Sequence, residues 1–171
     1  LEVDIINLKE QLKTAHKVHS TIYEKSLSYY FEQEALLLDQ ISPIMTKMIS
    51  RGKDISSESY ISSLGEQEDI CEVIDHLFEK HDFLCCLSTA GSAPIRNKNE
   101  IDDYSLIWTL SHLPVINVPM FVDLDGLPYG LQIFSRKYHD HSLLDFIEYL
   151  FSFLRYLTKS LARFPSPVLA E

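Results

Sequence analysis

Apolar side chains recur at Ile5, Leu8, Leu12, Ala15 and Ile22 and continue through residues 26–29, with Lys9, Lys13, Lys17 and Lys25 between them. This spacing predicts a long amphipathic helix from residue 3 to about residue 30. Ser42-Pro43 offers an N-cap followed by a first-turn proline, and Ile44, Met45 and Met48 share one face. A second helix over 43–51 follows, with Gly52 placed where a left-handed residue would end it. Ser56 and Ser57 can cap a third helix whose apolar stripe runs Tyr60, Ile61, Leu64, Ile70, Val73, Ile74, Leu77 and Phe78 and ends near His81. Gly65 weakens its middle, and the charged run from Glu66 to Glu72 reads as its solvated face.

Beyond residue 81 the period changes. Phe83-Leu84-Cys85-Cys86-Leu87 is a short continuous apolar run, as expected of a strand over 82–87 covered on both faces. Ser88-Thr89-Ala90-Gly91 signals a loop, residues 96–103 a polar exposed connection, and 106–110 a short helical turn. Residues 115–122 are β-branched and apolar, Asp125-Gly126 is a strong two-residue turn signal, and 129–134 returns, which predicts a hairpin. Pro119 and Pro128 lack ladder donors and belong at edges, bulges or strand ends. Asp140 or Ser142 can cap a last helix over about 142–162, and Pro165 and Pro167 stop further regular structure. The chain therefore reads as α/β, mostly helical over 1–80, with a strand, a hairpin and a C-terminal helix over 81–171. One doubly covered strand and a hairpin leave buried backbone groups short of partners, so more strands are expected from elsewhere.

Composition narrows the function classes. The 171 residues are enough for one domain burying roughly 70% of its unfolded surface. A net charge of −10, with 25 acidic against 15 basic residues, excludes a nucleic-acid binder that works by phosphate neutralisation. Three cysteines make neither a disulfide framework nor a paired metal knuckle, so a reducing, cytoplasmic setting is expected. The most apolar stretch, 143–157, is broken by Asp145, Glu148 and Arg155, while a membrane span needs roughly 20 apolar residues. Five glycines leave no phosphate loop or dinucleotide fingerprint, and no cofactor is expected. The chain starts at Leu1 inside a helical pattern, without a signal peptide, which suggests a fragment of a longer protein.

Several groups invite chemistry. His139-Asp140-His141 resembles a metal or proton-relay cluster, but without a third ligand no metal is expected, and a helix-cap role for Asp140 is the simpler reading. Cys85-Cys86 lies beside His81 and Asp82, yet alternation on a strand separates such groups and buried cysteine packs as a small hydrophobe. Ser88, Thr89 and Ser92 sit in a loop at a strand end, where ligand contacts often occur. Tyr23, Tyr29, Tyr30 and Phe31, and Phe146, Phe151 and Phe153, fit core or interface packing, with a partner surface as the sharper alternative. The His16/His19 pair is read as a structural or solvated feature of the first helix.

Asp82-Phe83-Leu84, Ser88, Ala93-Pro94, Trp108-Thr109, Pro114, Pro119, Gly126-Leu127-Pro128, Gly130-Leu131-Gln132, and Asp140 before Leu143-Leu144 occur in order and at intervals that resemble the C-terminal part of amidase signature enzymes. Upstream, Ala15, His19, Glu24, Ser42-Pro43, Gly52 and Tyr60 resemble the helical middle of that family. The resemblance implies the C-terminal portion of an α/β/α sandwich around a mixed sheet, flanked by long helices. It also implies amide hydrolysis by a Ser, cis-Ser, Lys triad whose glycine- and serine-rich segment is outside this chain. No residue here is assigned a catalytic role, because the Ser56-Ser57 and Ser62-Ser63 doublets lack flanking glycines. Ser88, Thr89, Trp108 and Thr109 are the candidates for a substrate pocket, with core packing the alternative for Trp108.

The departures from the family pattern are Leu87 for a proline, Thr109 for an asparagine, His112 for a glycine, and Gln67 where some members hold an acidic substrate with arginine. An acidic substrate is therefore disfavoured. The expected function is amidohydrolase action on a small carboxamide by the full-length parent, with this chain alone inactive and the absent N-terminal part its partner. The alternative is a catalytically inactive remnant serving as a binding or assembly module, with homodimerisation a further option.

Overall fold

The computed structural model describes residues 2–37, 40–95 and 105–161, with side chains of the last helix described to residue 154. The expectations at 96–103, Pro165 and Pro167 lie outside those residues. Helix α1 spans Ala15–Tyr30, well short of the predicted start at residue 3. Over residues 8–14 the chain forms hydrogen-bonded turns, in which the Leu12 N–H donates to the Leu8 carbonyl at 3.0 Å. The reason is local. Asn7 Oδ1 accepts the Lys9 N–H at 3.1 Å, offering the backbone a competing bond, and Thr14 gives no side-chain cap. Leu12 nevertheless reaches the core.

Helix α2 spans Pro43–Asp54, with the Ser42 hydroxyl accepting the Met45 N–H at 3.2 Å and proline at the first position. Gly52 lies inside this helix and not at a left-handed terminus. A Cβ there would stand 1.9 Å from the Glu24 carbonyl oxygen and 2.9 Å from Ser28 Cβ, so the glycine permits close contact between α1 and α2. The same pair is clamped by Arg51 on the buried Glu24 carboxylate, with Nε 2.9 and 3.0 Å from its two oxygens, and by Lys25 Nζ, 2.6 Å from the Ile55 carbonyl. Helix α3 spans Ser57–Leu77, and its cap is Ser56, which accepts the Ser59 N–H at 3.1 Å. Ile70 and Ile74 are buried, whereas Ile61 faces outward.

Strands β1 (Leu84–Leu87), β2 (Val115–Val122) and β3 (Pro128–Phe134) form an antiparallel sheet of order β1-β3-β2. The hairpin β2-β3 is as expected from the pattern, with Pro128 opening β3 and Pro119 at a register shift. The turn differs from a two-residue one. It extends over Asp123–Leu127, where the Asp123 carboxylate accepts the N–H groups of Asp125 and Leu127 at 2.9 and 2.7 Å and Gly126 takes φ +82°. β1 corrects the expectation of a doubly covered strand. It is an edge strand in which Leu84 and Cys86 turn towards the core while Cys85 is exposed and Leu87 is 50% exposed. The Ser88 N–H reaches the Gly130 carbonyl at 2.8 Å, so by antiparallel alternation the main-chain groups of Cys85 and Leu87 point away from β3.

A short helix α4 (Ser105–Leu110) buries Ile107, Trp108 and Leu110, and α5 (Asp140–Leu161) runs along the other side of the sheet. Asp140 is the first helical residue and Ser142 lies inside the helix, so Asp140 supports α5 as first-turn negative charge. Two cores result. Leu12, Ala15, Val18, Ile70, Ile74, Trp108 and Phe134 join α1, α3 and α4 to one face, and Val118, Ile133 and Leu143 join α5 to the other. The arrangement is helix, sheet, helix in layers. Among the described residues no helix is long and apolar enough to cross a membrane.

Candidate functional site

The Ser88 side chain is used structurally. Its hydroxyl accepts the Gly130 N–H at 2.9 Å, and its own N–H donates to the Gly130 carbonyl, so the loop after β1 is fastened to β3. Gly130 is required there by crowding, since a Cβ would sit 2.2 Å from Asn117 Oδ1 and 2.9 Å from the Val118 carbonyl. Further along, Thr89 is exposed and donates its hydroxyl to the Gly91 carbonyl. Ser92 bonds the Asp123 carboxylate, and this bond, aided by the turn N–H groups, holds that carboxyl below its ordinary range. The loop after β1 and the hairpin tip thus form one connected surface.

Trp108 and Thr109 are at the other end. The Trp108 ring stacks on Phe134 with centroids 4.1 Å apart, and Phe134 pairs with Leu84, four residues before Ser88 along β1, about 13 Å away at ~3.3 Å per residue. Thr109 is exposed, and its carbonyl accepts the His112 N–H at 3.2 Å. The four candidate pocket residues therefore form two separate pairs. Among the described residues, Trp108 Nε1 is the buried side-chain nitrogen left without a hydrogen-bond partner.

One juxtaposition escaped the sequence reading. Gln67 Nε2 donates to the Leu110 carbonyl at 2.7 Å and lies 3.2 Å from His112 Nε2. His112 has φ +56°, a left-handed conformation that favours glycine. Two of the four departures from the family pattern are thus neighbours, on α3 and on the turn between α4 and β2. The available signal was a bulky residue where glycine is usual, a hint of backbone geometry that does not reveal a contact across 45 residues.

The remaining groups disperse. No set of three or more His, Cys, Asp and Glu side chains among the described residues is arranged to hold a metal. The His139 carbonyl accepts the Ser135 hydroxyl at 3.0 Å. His81 lies 4.0 Å from Asp4. Cys85 is exposed rather than packed, while half-buried Cys86 approaches the Gln132 side-chain oxygen at 4.0 Å. Arg136 grips Asp75 with bonds of 2.7 and 2.5 Å and lowers its pKa. Burial, with help from neighbouring His16, holds His19 below its usual value.

The family profile described as Amidase matches residues 5–144. The chain is 24% identical over 110 residues to a glutamyl-tRNA(Gln) amidotransferase subunit of Treponema denticola, a match covering 59% of this chain and 22% of that protein. A solved structure described as an amidase superposes with a TM-score of 0.72 at 18% identity, covering 81% of this chain and 35% of the other. A 6-aminohexanoate cyclic dimer hydrolase superposes with a TM-score of 0.64 at 17% identity, covering 77% of this chain and 33% of the other. The chain thus spans about a fifth of the curated relative and about a third of these solved structures. With a profile match over most of its length and the same fold as solved amidases, the chain belongs to the amidase family.

Proposed function

We propose that the chain is the C-terminal portion of an amidase domain that hydrolyses a small carboxamide, its Ser, cis-Ser, Lys triad being supplied by sequence outside these residues. In this reading a serine attacks the amide carbonyl, the second serine and a neutral lysine relay its proton, backbone N–H groups hold the oxyanion, and water releases the acyl group. The observation that carries the reading is the unfinished sheet of an amidase-family chain. The outward main-chain groups of Cys85 and Leu87 lack a partner strand among the described residues, and α5 presents Leu144, Tyr149, Phe151 and Phe153 to solvent as well as its sheet-facing side. Ser88 and Thr89 would contribute one wall of the substrate pocket, and Trp108 and Thr109 another, each completed by the missing portion. Gln67, engaged with Leu110 and His112, disfavours an acidic acyl group.

The test compares this chain with a version extended by its preceding reading frame, assaying ammonia release from a carboxamide panel and labelling by a serine-directed fluorophosphonate. Activity and labelling in the extended form only are expected. Ammonia release by the 171-residue chain that survives Ser88→Ala and Cys85→Ala overturns the reading. The same exposed edge and α5 surface also support a second reading, a non-catalytic assembly module; a reading frame that begins close to Leu1 would favour it.

A further inference from the structure

Helix α4 ends in a turn closed by two main-chain bonds, from the Leu113 N–H to the Trp108 carbonyl at 3.1 Å and from the His112 N–H to the Thr109 carbonyl at 3.2 Å. This pair of bonds is the Schellman arrangement, in which the residue at the place of His112 turns left-handed. Its usual apolar contact is also present, since Leu113 packs against the core cluster that holds Trp108. Glycine fills such a place without strain. A histidine at φ +56° is strained there, and the two bonds that close the turn use none of its side chain. What the strain retains is an exposed imidazole.

Gln67 of α3 fixes the polarity of that ring. The Leu110 carbonyl accepts and does not donate, so the side-chain atom 2.7 Å from it is the amide nitrogen. The same nitrogen stands 3.2 Å from His112 Nε2, and its second proton finds an acceptor there when Nε2 is bare. In the neutral ring the proton then sits on Nδ1. Two atoms are left over, Gln67 Oε1 as an acceptor and His112 Nδ1–H as a donor. Neither has a partner among the described residues, where Trp108 Nε1 is the buried side-chain atom left unbonded, so half-buried Gln67 keeps its oxygen within reach of solvent. Thr109 is exposed on the same turn.

We propose that Gln67 and His112 form a subsite for a neutral carboxamide group, its N–H donating to Gln67 Oε1 and its carbonyl accepting from His112 Nδ1–H. A carboxylate brings acceptors alone and meets the Gln67 oxygen with like polarity. An ammonium brings donors alone and meets the Nδ1 proton. That the bound group is a second, uncleaved amide of the substrate rests on the amidase reading above, whereas the recognition itself needs only these two side chains.

Nitrogen-15 spectra of the histidine rings in the 171-residue chain, with the His112 signals assigned by their loss in His112→Gly, read the tautomer. A protonated Nδ1 and a bare Nε2 are expected, and Gln67→Leu should remove that bias. Titration with propionamide, propionate and propylammonium, followed by the main-chain amide signals of the turn, reads selectivity. Propionamide should bind about two- to tenfold more tightly than either ion, the range of one neutral hydrogen bond. Gln67→Leu and His112→Gly should each abolish the preference, with the emission of Trp108, the single tryptophan, checking that α4 stays packed. If Gln67→Leu unpacks α4, His112→Gly, which relieves the backbone, decides the matter. A proton on Nε2, no response to propionamide, equal binding of the three probes, or a preference that survives His112→Gly overturns the proposal. Absence of amidase activity in an extended chain would leave all these readings unmoved, so the two failures are told apart.

Discussion

The helical half and the sheet half of this molecule finish their interactions to different degrees. Helix α1 closes on α2 through a buried carboxylate gripped by Arg51, a lysine on the Ile55 carbonyl and a glycine that lets two backbones touch, and on α3 through Val18, Ile70 and Ile74, while serines cap the starts of α2 and α3. The sheet half packs one side of α5 over Val118, Ile133 and Leu143, yet leaves Leu87, Tyr149 and neighbouring apolar groups in water and an outer strand edge unpaired among the described residues. A helical unit satisfies its backbone within itself, whereas a sheet passes its unmet hydrogen bonds to whatever lies beside it. Cutting a layered α/β domain therefore leaves its mark on the strands first.

The contrast can be broken most severely where the halves meet. Phe134 is 1% exposed and stacks on Trp108 in the core that joins the helices to the sheet, and Phe134→Ala should destabilise by about 3–5 kcal/mol in denaturant unfolding. Gly52→Ala acts within the helical half. The new methyl must displace the Glu24 carbonyl, a loss of about 1–3 kcal/mol by the same measurement.

Acid sharpens the comparison further. His19 on α1 has its pKa lowered by burial, so the unfolded chain binds its proton more readily and stability falls as pH drops below about 6.5. Asp75, lowered by Arg136, supports the fold above the ordinary carboxylate range, and that support is lost as pH falls below about 4. Melting temperature against pH should show both declines, with His19→Gln removing the upper and Asp75→Asn the lower. His112→Gly relieves a left-handed backbone, and a gain of at most about 1 kcal/mol is expected, reduced by the chain freedom glycine adds when unfolded. Smallest of all, Tyr149→Ser, at a residue 61% exposed, should change stability by less than about 0.5 kcal/mol while reducing aggregation seen by light scattering. A large loss there would mean that the outer face of α5 already has a partner.

What could be read from the sequence was local. Ser42 before Pro43, Ser56 before the α3 stripe, Asp125-Gly126 between two β-branched runs, and Pro119 at an irregularity each depend on residues a few positions apart. What could not be read was set by distant neighbours. Gly52 looked like a helix end because the approach of Glu24, 28 residues earlier, is invisible in the chain order. The run 83–87 looked doubly covered because hydrophobicity alone does not say whether a second strand exists to cover it. Family membership was legible from motif order, whereas the two-way bond between Ser88 and Gly130 and the contact of Gln67 with His112 required three dimensions.

Pro119 has one more consequence. It pairs with Gly130, whose main-chain groups are committed to Ser88, so the nitrogen of Pro119 lies on the outer side of β2, at the register shift. That rim lacks a donor and is bent, while the rim of β1 is straight and fully equipped. The sheet therefore has one adhesive margin and one blunt one. If two copies joined strand to strand through β1, both margins left over would be blunt, and polymerisation would stop at two.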